Sequence, residues 1–503
     1  MKRYVEKFNS NDEETVAQAI DNVHAYEWME NNVPYFECSD KAIEETYYFR
    51  WWVYRKHIKK TPEGYIITEF HPDVNWAGAY NSINAASGHH IADGRWMKQG
   101  EKYMEDYIRF WFKGTGSQYA YSSWIVQSVY EYCCVKNDYA LAMDLLEDFQ
   151  EFYAHVEKTN LTEQGLFWSL DYKDAMEMSV SGSGLRPTLN SYMYANAMAI
   201  SKIAKKAENK EIEKLYKAKA NSLKEKMNEL LWDAKEQFFK VVPQNQIADK
   251  IITFSPEEYG DRNVKELIGY IPWAFGLGDK EQDGAWEYLK NDDCFYTAYG
   301  LTTADQNHAK YLRENLTHEC LWNGPIWPFA TTQVLNSMIA YLQGDNNSAI
   351  QKKDFFVILK DYAKSHYRIT KDGRKINWVD ESIDPRDGSW LSRHILEQWE
   401  WREDKGGYER GKDYNHSSFA DIVIRGICGV SLGERDEICI NSAIQEADLD
   451  YFKIDDLPYK NHSVTVLYDK SGERYQRGKG LFVDVDNKCR AHSEKLEKIM
   501  LIL

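Results

Sequence analysis

Apolar side chains return every three or four positions through most of residues 39–430, and many of them are aromatic. Ser39 is placed to cap a helix, and Ile43, Tyr47, Trp51, Tyr54 and Ile58 follow at helical spacing. Trp96, Tyr103, Tyr107, Phe110 and Trp111 repeat the pattern over 96–112. The segments 119–136, 138–157, 188–206, 209–232, 327–343, 347–366 and 415–430 are rich in Ala, Glu, Lys and Leu, which favour helices. Loops bearing Gly, Pro and Asn separate them. About a dozen helices in this arrangement predict paired helical hairpins, hence a mainly α fold. After Gly429 the pattern changes. Short β-prone runs at 437–440, 451–454, 463–468 and 480–485, separated by turns such as Asp469-Lys470-Ser471-Gly472, predict a small antiparallel β domain over 431–503. That domain can share its sheet with N-terminal residues.

Composition narrows the function. Of 503 residues, 62 are Lys or Arg and 79 are Asp or Glu, a net charge of −17. No basic footprint for nucleic acid is visible, and neither a Walker loop nor a strand-borne GxGxxG is present. No apolar run approaches the roughly 18 residues of a membrane-spanning helix. The first residues, MKRYVEKFNSNDEETVAQ, lack the apolar core of a signal peptide. The compartment stays open between the cytoplasm and, for a trimmed precursor, the periplasm or exterior. The eight cysteines are scattered without a CxxC pair and read as buried thiols. His89 and His90 are adjacent, so they point apart on a helix, and no third ligand stands at metal-binding spacing. No metal or cofactor is expected.

Chemistry concentrates in the loops. HPDVNWAGAYNSINAASGHHIADGR (71–95), FWSLDYKDAMEMSVSGSGLRP (167–187), GYIPWAFGL (269–277), FYTAYGLTTAD (295–305), LWNGPIWP (321–328), WVDESIDPRDGSW (378–390) and DYNHSSF (413–419) each mix Trp, Tyr or Phe with polar side chains beside Gly or Pro. That mixture suits a cleft for a polyhydroxylated ligand, in which rings stack on aromatics and hydroxyls find donors and acceptors. Trp322 and Trp327, five residues apart, are expected to face different ways.

In order and spacing these loops resemble the (α/α)6-barrel glycosidases related to glycoside hydrolase family 63 and to mannosylglycerate hydrolase. Glu381, Pro385 and Gly388 in ESIDPRDG carry the strongest likeness, followed by LWNGPIW, GYIPW and YGLTT. SYMYANAMAI (191–200) followed by LLWDAKEQFF (230–239) resembles a helix pair of the family. The resemblance implies an (α/α)6 toroid over 1–430, carbohydrate as substrate, and removal of a terminal, α-linked sugar with inversion. It makes Glu381 the general base. Inverting hydrolysis also needs an acid, roughly 6.5–9.5 Å from the base. The family's Glu-Ser-Gly-x-Asp is degraded here, leaving Asp174 as the choice and Asp171 and Glu177 as alternatives. Asn75, Trp76, His90, Trp273, Trp322, Asn323, Trp327, Tyr414 and His416 are the expected substrate-binding residues. Trp76 is followed by Ala77 where the family carries Asp, so another group must meet the sugar hydroxyls; Asp73 or Asn75 is placed to do so. Another α-barrel enzyme (rhamnosidase-like hydrolase, phosphorylase or lyase) and a non-catalytic glycan-binding protein stand as alternatives. The oligomeric state is left open.

Overall fold

The computed structural model describes residues 1–243, 245–247, 250–253, 261–314, 318–344 and 349–503. The fold is mainly helical with several small antiparallel sheets. The first long helix, Lys41–Lys56, is capped by Asp40, whose carboxylate accepts from the backbone N–H groups of Ala42 (3.0 Å) and Ile43 (3.3 Å). The predicted cap, Ser39, instead accepts from the N–H of Asp450. Arg55 and Lys56 in the last turn complement the helix dipole. Tyr47, Trp51 and Tyr54 are buried, as their spacing requires.

Pro187–Lys206 and Lys210–Leu230 form an antiparallel helical hairpin. Pro187 opens the first helix, where its missing N–H costs nothing. Glu208 turns the chain at φ 56°, and the Asn209 side chain caps the second helix through the N–H of Ile212. Glu101–Phe112, Ile125–Lys136, Leu146–Asn160 and Pro328–Gln343 fall within or close to predicted helices. The helix expected over 347–366 is Lys352–Lys364; residues 347 and 348 lie outside the described residues. The prediction over 415–430 needs correcting. This segment holds only the short helix Ala420–Ile422 and a wider π turn at Val423–Ile427, because residues 414–419 are drawn into loop contacts. No described helix is long and apolar enough to cross a membrane.

A five-stranded antiparallel sheet runs in the order Tyr35–Cys38, Tyr451–Tyr459, His462–Asp469, Gly480–Val485, Lys488–Ser493. The N-terminal strand joins it in the register Phe36 opposite Ile454. Phe452, Ile454 and Leu457 are buried. Tyr459 stacks on Trp96, and the N–H of Lys460 donates to the carbonyl of Val135, tying this sheet to the helices. A hairpin after the first helix, Ile58–Thr61 with Gly64–Ile67, delivers Thr68, Glu69 and Phe70 to the region described next. All eight cysteines are free thiols, five of them buried.

Candidate active site

Several of these loops converge on a cavity of about 340 Å³, lined among others by Glu69, Trp76, Tyr121, Glu177, Cys320, Trp327, Arg410 and Tyr414. The segment carrying Glu381 is held straight by reciprocal backbone hydrogen bonds between Ile383 and Ile326 (2.8 and 2.9 Å), and Leu391 N–H donates to Ser382 O. Gly388, at φ +75°, lets the loop turn back; a side chain there would run into the Tyr299 ring.

Glu381 is fully enclosed and stands behind two cavity-lining residues. Its Oε1 accepts from Arg410 Nε (2.9 Å), and the Cys320 thiol lies 3.4 Å from Oε2. Burial raises the pKa of Glu381, Arg410 opposes that rise, and Asp380 and Glu319 add to it. Arg410 also pairs with Glu319, and its guanidinium stacks over Trp76 at 4.8 Å. Pairing with Arg410 outweighs burial at Glu319 and brings its pKa down to about 2.

Glu177 is half-buried and lines the same cavity. Desolvation first, then the charges of Glu381 and Asp171, push its pKa up to about 7. Its own carbonyl accepts from the N–H of Trp322, which joins the acidic loop to the Trp322–Trp327 loop. Glu69 lines the cavity too. It is buried, Tyr414 Oη donates to its Oε1, and burial raises its pKa to about 8, with smaller contributions from Glu381 and Glu177.

Asp174, the acid chosen from sequence, is not among the cavity-lining residues. Its carboxylate is saturated: it takes hydrogen bonds from Arg186 Nε (2.6 Å), Ser122 Oγ (2.6 Å), Ser169 Oγ (3.0 Å) and Thr188 Oγ1. Those bonds fix the loop that presents Glu177. Asp171, the other alternative, accepts from the N–H of Tyr172 and does not line the cavity.

Of the nine residues expected to bind substrate, Trp76, Trp327 and Tyr414 line the cavity. Trp322 lies directly behind Trp327, ring on ring at 4.4 Å and 15°. The expectation that these two rings diverge is therefore corrected: five residues of irregular loop bring them parallel. His416 is enclosed and stacks on Tyr414 at 3.8 Å. His90 spends both ring nitrogens inside the protein, on Tyr107 Oη and on Asn415 O, and so braces the 414–416 loop. Asn323 donates to the carbonyl of Arg313. Trp273 packs among Phe239, Tyr270 and Trp286. Asn75 is exposed and donates to Asp404 O, while Asp73 pairs with Lys59. Sequence reasoning missed Glu69, Arg410 and Cys320. Glu69 carries a faint signal, a lone carboxylate in the apolar run Ile66, Ile67, Thr68, Phe70.

His318, Glu319 and Cys320 bring one ligand atom each within 4.8 Å of one another. The Arg410 guanidinium already occupies that ground, bonded to Glu319 and 3.2 Å from the Cys320 sulfur, and burial holds the thiol protonated. A wider cleft of about 730 Å³ lies on the other side of the 387–390 loop. Two of its acidic groups make exposed ion pairs, Asp372 with Arg374 and Glu397 with Lys371, and the pKa of both is lowered. The carboxyls raised toward neutrality, Glu69 and Glu177, line the smaller cavity.

The fold matches solved carbohydrate-active enzymes. A structure named "Sialidase" superposes with a TM-score of 0.89 at 35% identity, covering 99% of this chain and 44% of that one. The chain thus spans less than half the length of that protein. A GH78 family rhamnosidase of Bacillus sp. GL1 gives 0.57 at 12% identity, covering 87% of this chain and 41% of that one. An α-L-rhamnosidase from Dictyoglomus thermophilum gives 0.52 at 13%, covering 88% and 43%. Residues 79–417 match the model of the mannosylglycerate hydrolase MGH1-like glycoside hydrolase domain, and the chain belongs to that family of glycoside hydrolases.

Proposed function

We propose that this glycoside hydrolase removes a terminal, α-linked sugar with inversion, with Glu177 as general acid and Glu381 as general base. The observation that carries this reading is a cavity-lining carboxyl, Glu177, with a second carboxyl, Glu381, enclosed directly behind the wall that Cys320 and Arg410 form. Glu177 titrates near neutrality in a half-buried position, suited to protonate a leaving oxygen. Burial raises the pKa of Glu381 and the Arg410 guanidinium bonded to it opposes that rise, which suits a group that must take a proton from water. In this reading residues 1–430 form the (α/α)6 toroid, residues 431–503 the small β domain, and the aromatic walls Trp76, Tyr121 and Trp327 stack on the sugar ring. The mechanism needs no cofactor.

Proton NMR of a reaction with a panel of α- and β-glycosides, read in the first minutes, tests this. The first product anomer should be opposite to the substrate, and Glu381→Gln and Glu177→Gln should each lose turnover. Retention of configuration would overturn the water-displacement mechanism.

A further inference from the structure

Glu69 stands apart from the acid/base pair. It is buried, it lines the cavity, and it comes from the hairpin end at 68–70, far in sequence from both catalytic candidates. One of its carboxyl oxygens is held by Tyr414 Oη; the other, Oε2, has no hydrogen-bond partner among the described residues. A buried polar atom without a partner costs roughly 1–3 kcal/mol, and at Glu69 it belongs to a cavity-lining residue, where a ligand can supply the missing bond. The surroundings are rigid. Asn415 N–H donates to Glu69 O (3.0 Å), Asn415 Nδ2 to Thr68 O (3.2 Å), and Tyr414 is clamped between Phe70 and His416. The side chain is therefore pre-set before substrate arrives. Asn75 and Asp73, the other polar groups expected near Trp76, make contacts on the surface instead.

We infer that Glu69, oriented by Tyr414, is the residue that recognises a hydroxyl of the sugar ring bound in the cavity, and so sets which sugar is accepted. This rests on the carbohydrate reading of the cavity given above. With its pKa raised to about 8, the carboxyl is largely protonated at neutral pH, so Oε2 can donate to a hydroxyl oxygen or accept from its hydrogen. It takes no part in proton transfer during the reaction.

The test separates binding from turnover. Saturation-transfer NMR of the full chain with a pool of free D-glucose, D-mannose, D-galactose, L-rhamnose and L-arabinose reads binding. Turnover of the 4-nitrophenyl glycosides of the same sugars reads catalysis. Glu69→Leu should lose the sugar signal, or raise KM about tenfold or more with kcat changed less than threefold. Tyr414→Phe, which keeps the ring and frees Glu69, should weaken binding in the same direction and serves if Glu69→Leu does not fold. Glu381→Gln should keep the sugar signal while losing turnover. Were Glu381→Gln to turn over normally while Glu69→Leu still lost binding, the acid/base assignment would fail and this inference would stand. Binding by a folded Glu69→Leu equal to that of the unsubstituted protein would overturn it. So would a loss confined to kcat, or no binding of any of the five sugars to the unsubstituted protein.

Discussion

Arg410 Nε lies 2.9 Å from Glu381 Oε1, and both side chains are buried. Three influences raise the Glu381 pKa, namely burial, Asp380 and Glu319, and the guanidinium opposes them. Removing the guanidinium as Arg410→Met leaves the carboxyl with only the raising influences. A general base works deprotonated, so the ascending limb of the profile of kcat/KM against pH should move to higher pH. Activity at pH 6 should fall by roughly 10²-fold or more. An unchanged limb would show that Glu381 does not titrate in catalysis.

Glu177 and Asp174 make opposite predictions. Glu177, with a pKa of about 7, works protonated, so kcat/KM should decline as pH rises through about 7. Glu177→Gln should abolish that limb. The loss should be large for alkyl glycosides and small for dinitrophenyl glycosides, whose leaving group needs no proton. Asp174→Asn breaks a buried ion pair with Arg186 and should lower stability by about 3 kcal/mol in urea denaturation. Its activity on a well-folded sample should keep the descending limb. The reverse pattern would return the acid to Asp174.

Asp12 is buried between Lys56 (3.0 Å) and Lys412 (2.9 Å), and Lys56 also meets Asp413 (2.5 Å) beside the active-site loop. Those cations, with Asn22, outweigh burial and hold the Asp12 pKa below its ordinary value. Its folded pKa is therefore lower than its unfolded one. The stability it adds is complete above about pH 4 and is lost as pH falls further toward the folded value. Asp12→Asn should cost about 3 kcal/mol at pH 7 and flatten the slope of unfolding free energy between pH 5 and 3. Urea titrations at three pH values measure both.

Gly411 follows Arg410 with φ +74°, and a Cβ there would lie 2.0 Å from Asp380 Oδ1. Asp380 is itself bonded to Arg393 Nε and to the N–H of Glu381, so it cannot retreat. Gly411→Ala should destabilise the fold by about 2 kcal/mol or more and lower kcat through a displaced Arg410. Thermal unfolding and kcat on one sample check this; a wild-type melting temperature would refute it.

The helical segments were legible because burial on one face of a helix must recur every three or four residues, and aromatics mark that face plainly. Lys41–Lys56 and Pro187–Lys206 are found where the pattern puts them. The cap shifted from Ser39 to Asp40 because both side chains offer an oxygen, and only the tertiary pull of Asp450 on Ser39 decides between them. The segment 415–430 misled because Phe419, Ile422, Val423 and Ile427 are apolar for core reasons while Asn415 bonds the loop at Thr68 and the Ser417 carbonyl accepts from Arg50 of the helix Lys41–Lys56. Glu381 stood out through the resemblance of ESIDPRDG and the loops around it to the family 63 glycosidases; its Pro385 and Gly388 alone mark only a turn.

The sequence by itself determined the class of elements and the aromatic-polar loops. These follow from periodicity and local backbone preference, which act over a few residues. Tertiary structure decided which carboxylates face a common space. Glu69, Glu177, Cys320 and Arg410 come from distant loops, and Asp174 is excluded by four hydrogen bonds that form only when those loops pack. Desolvation and charge proximity set what each carboxyl can do, and both are properties of the folded neighbourhood rather than of neighbours along the chain.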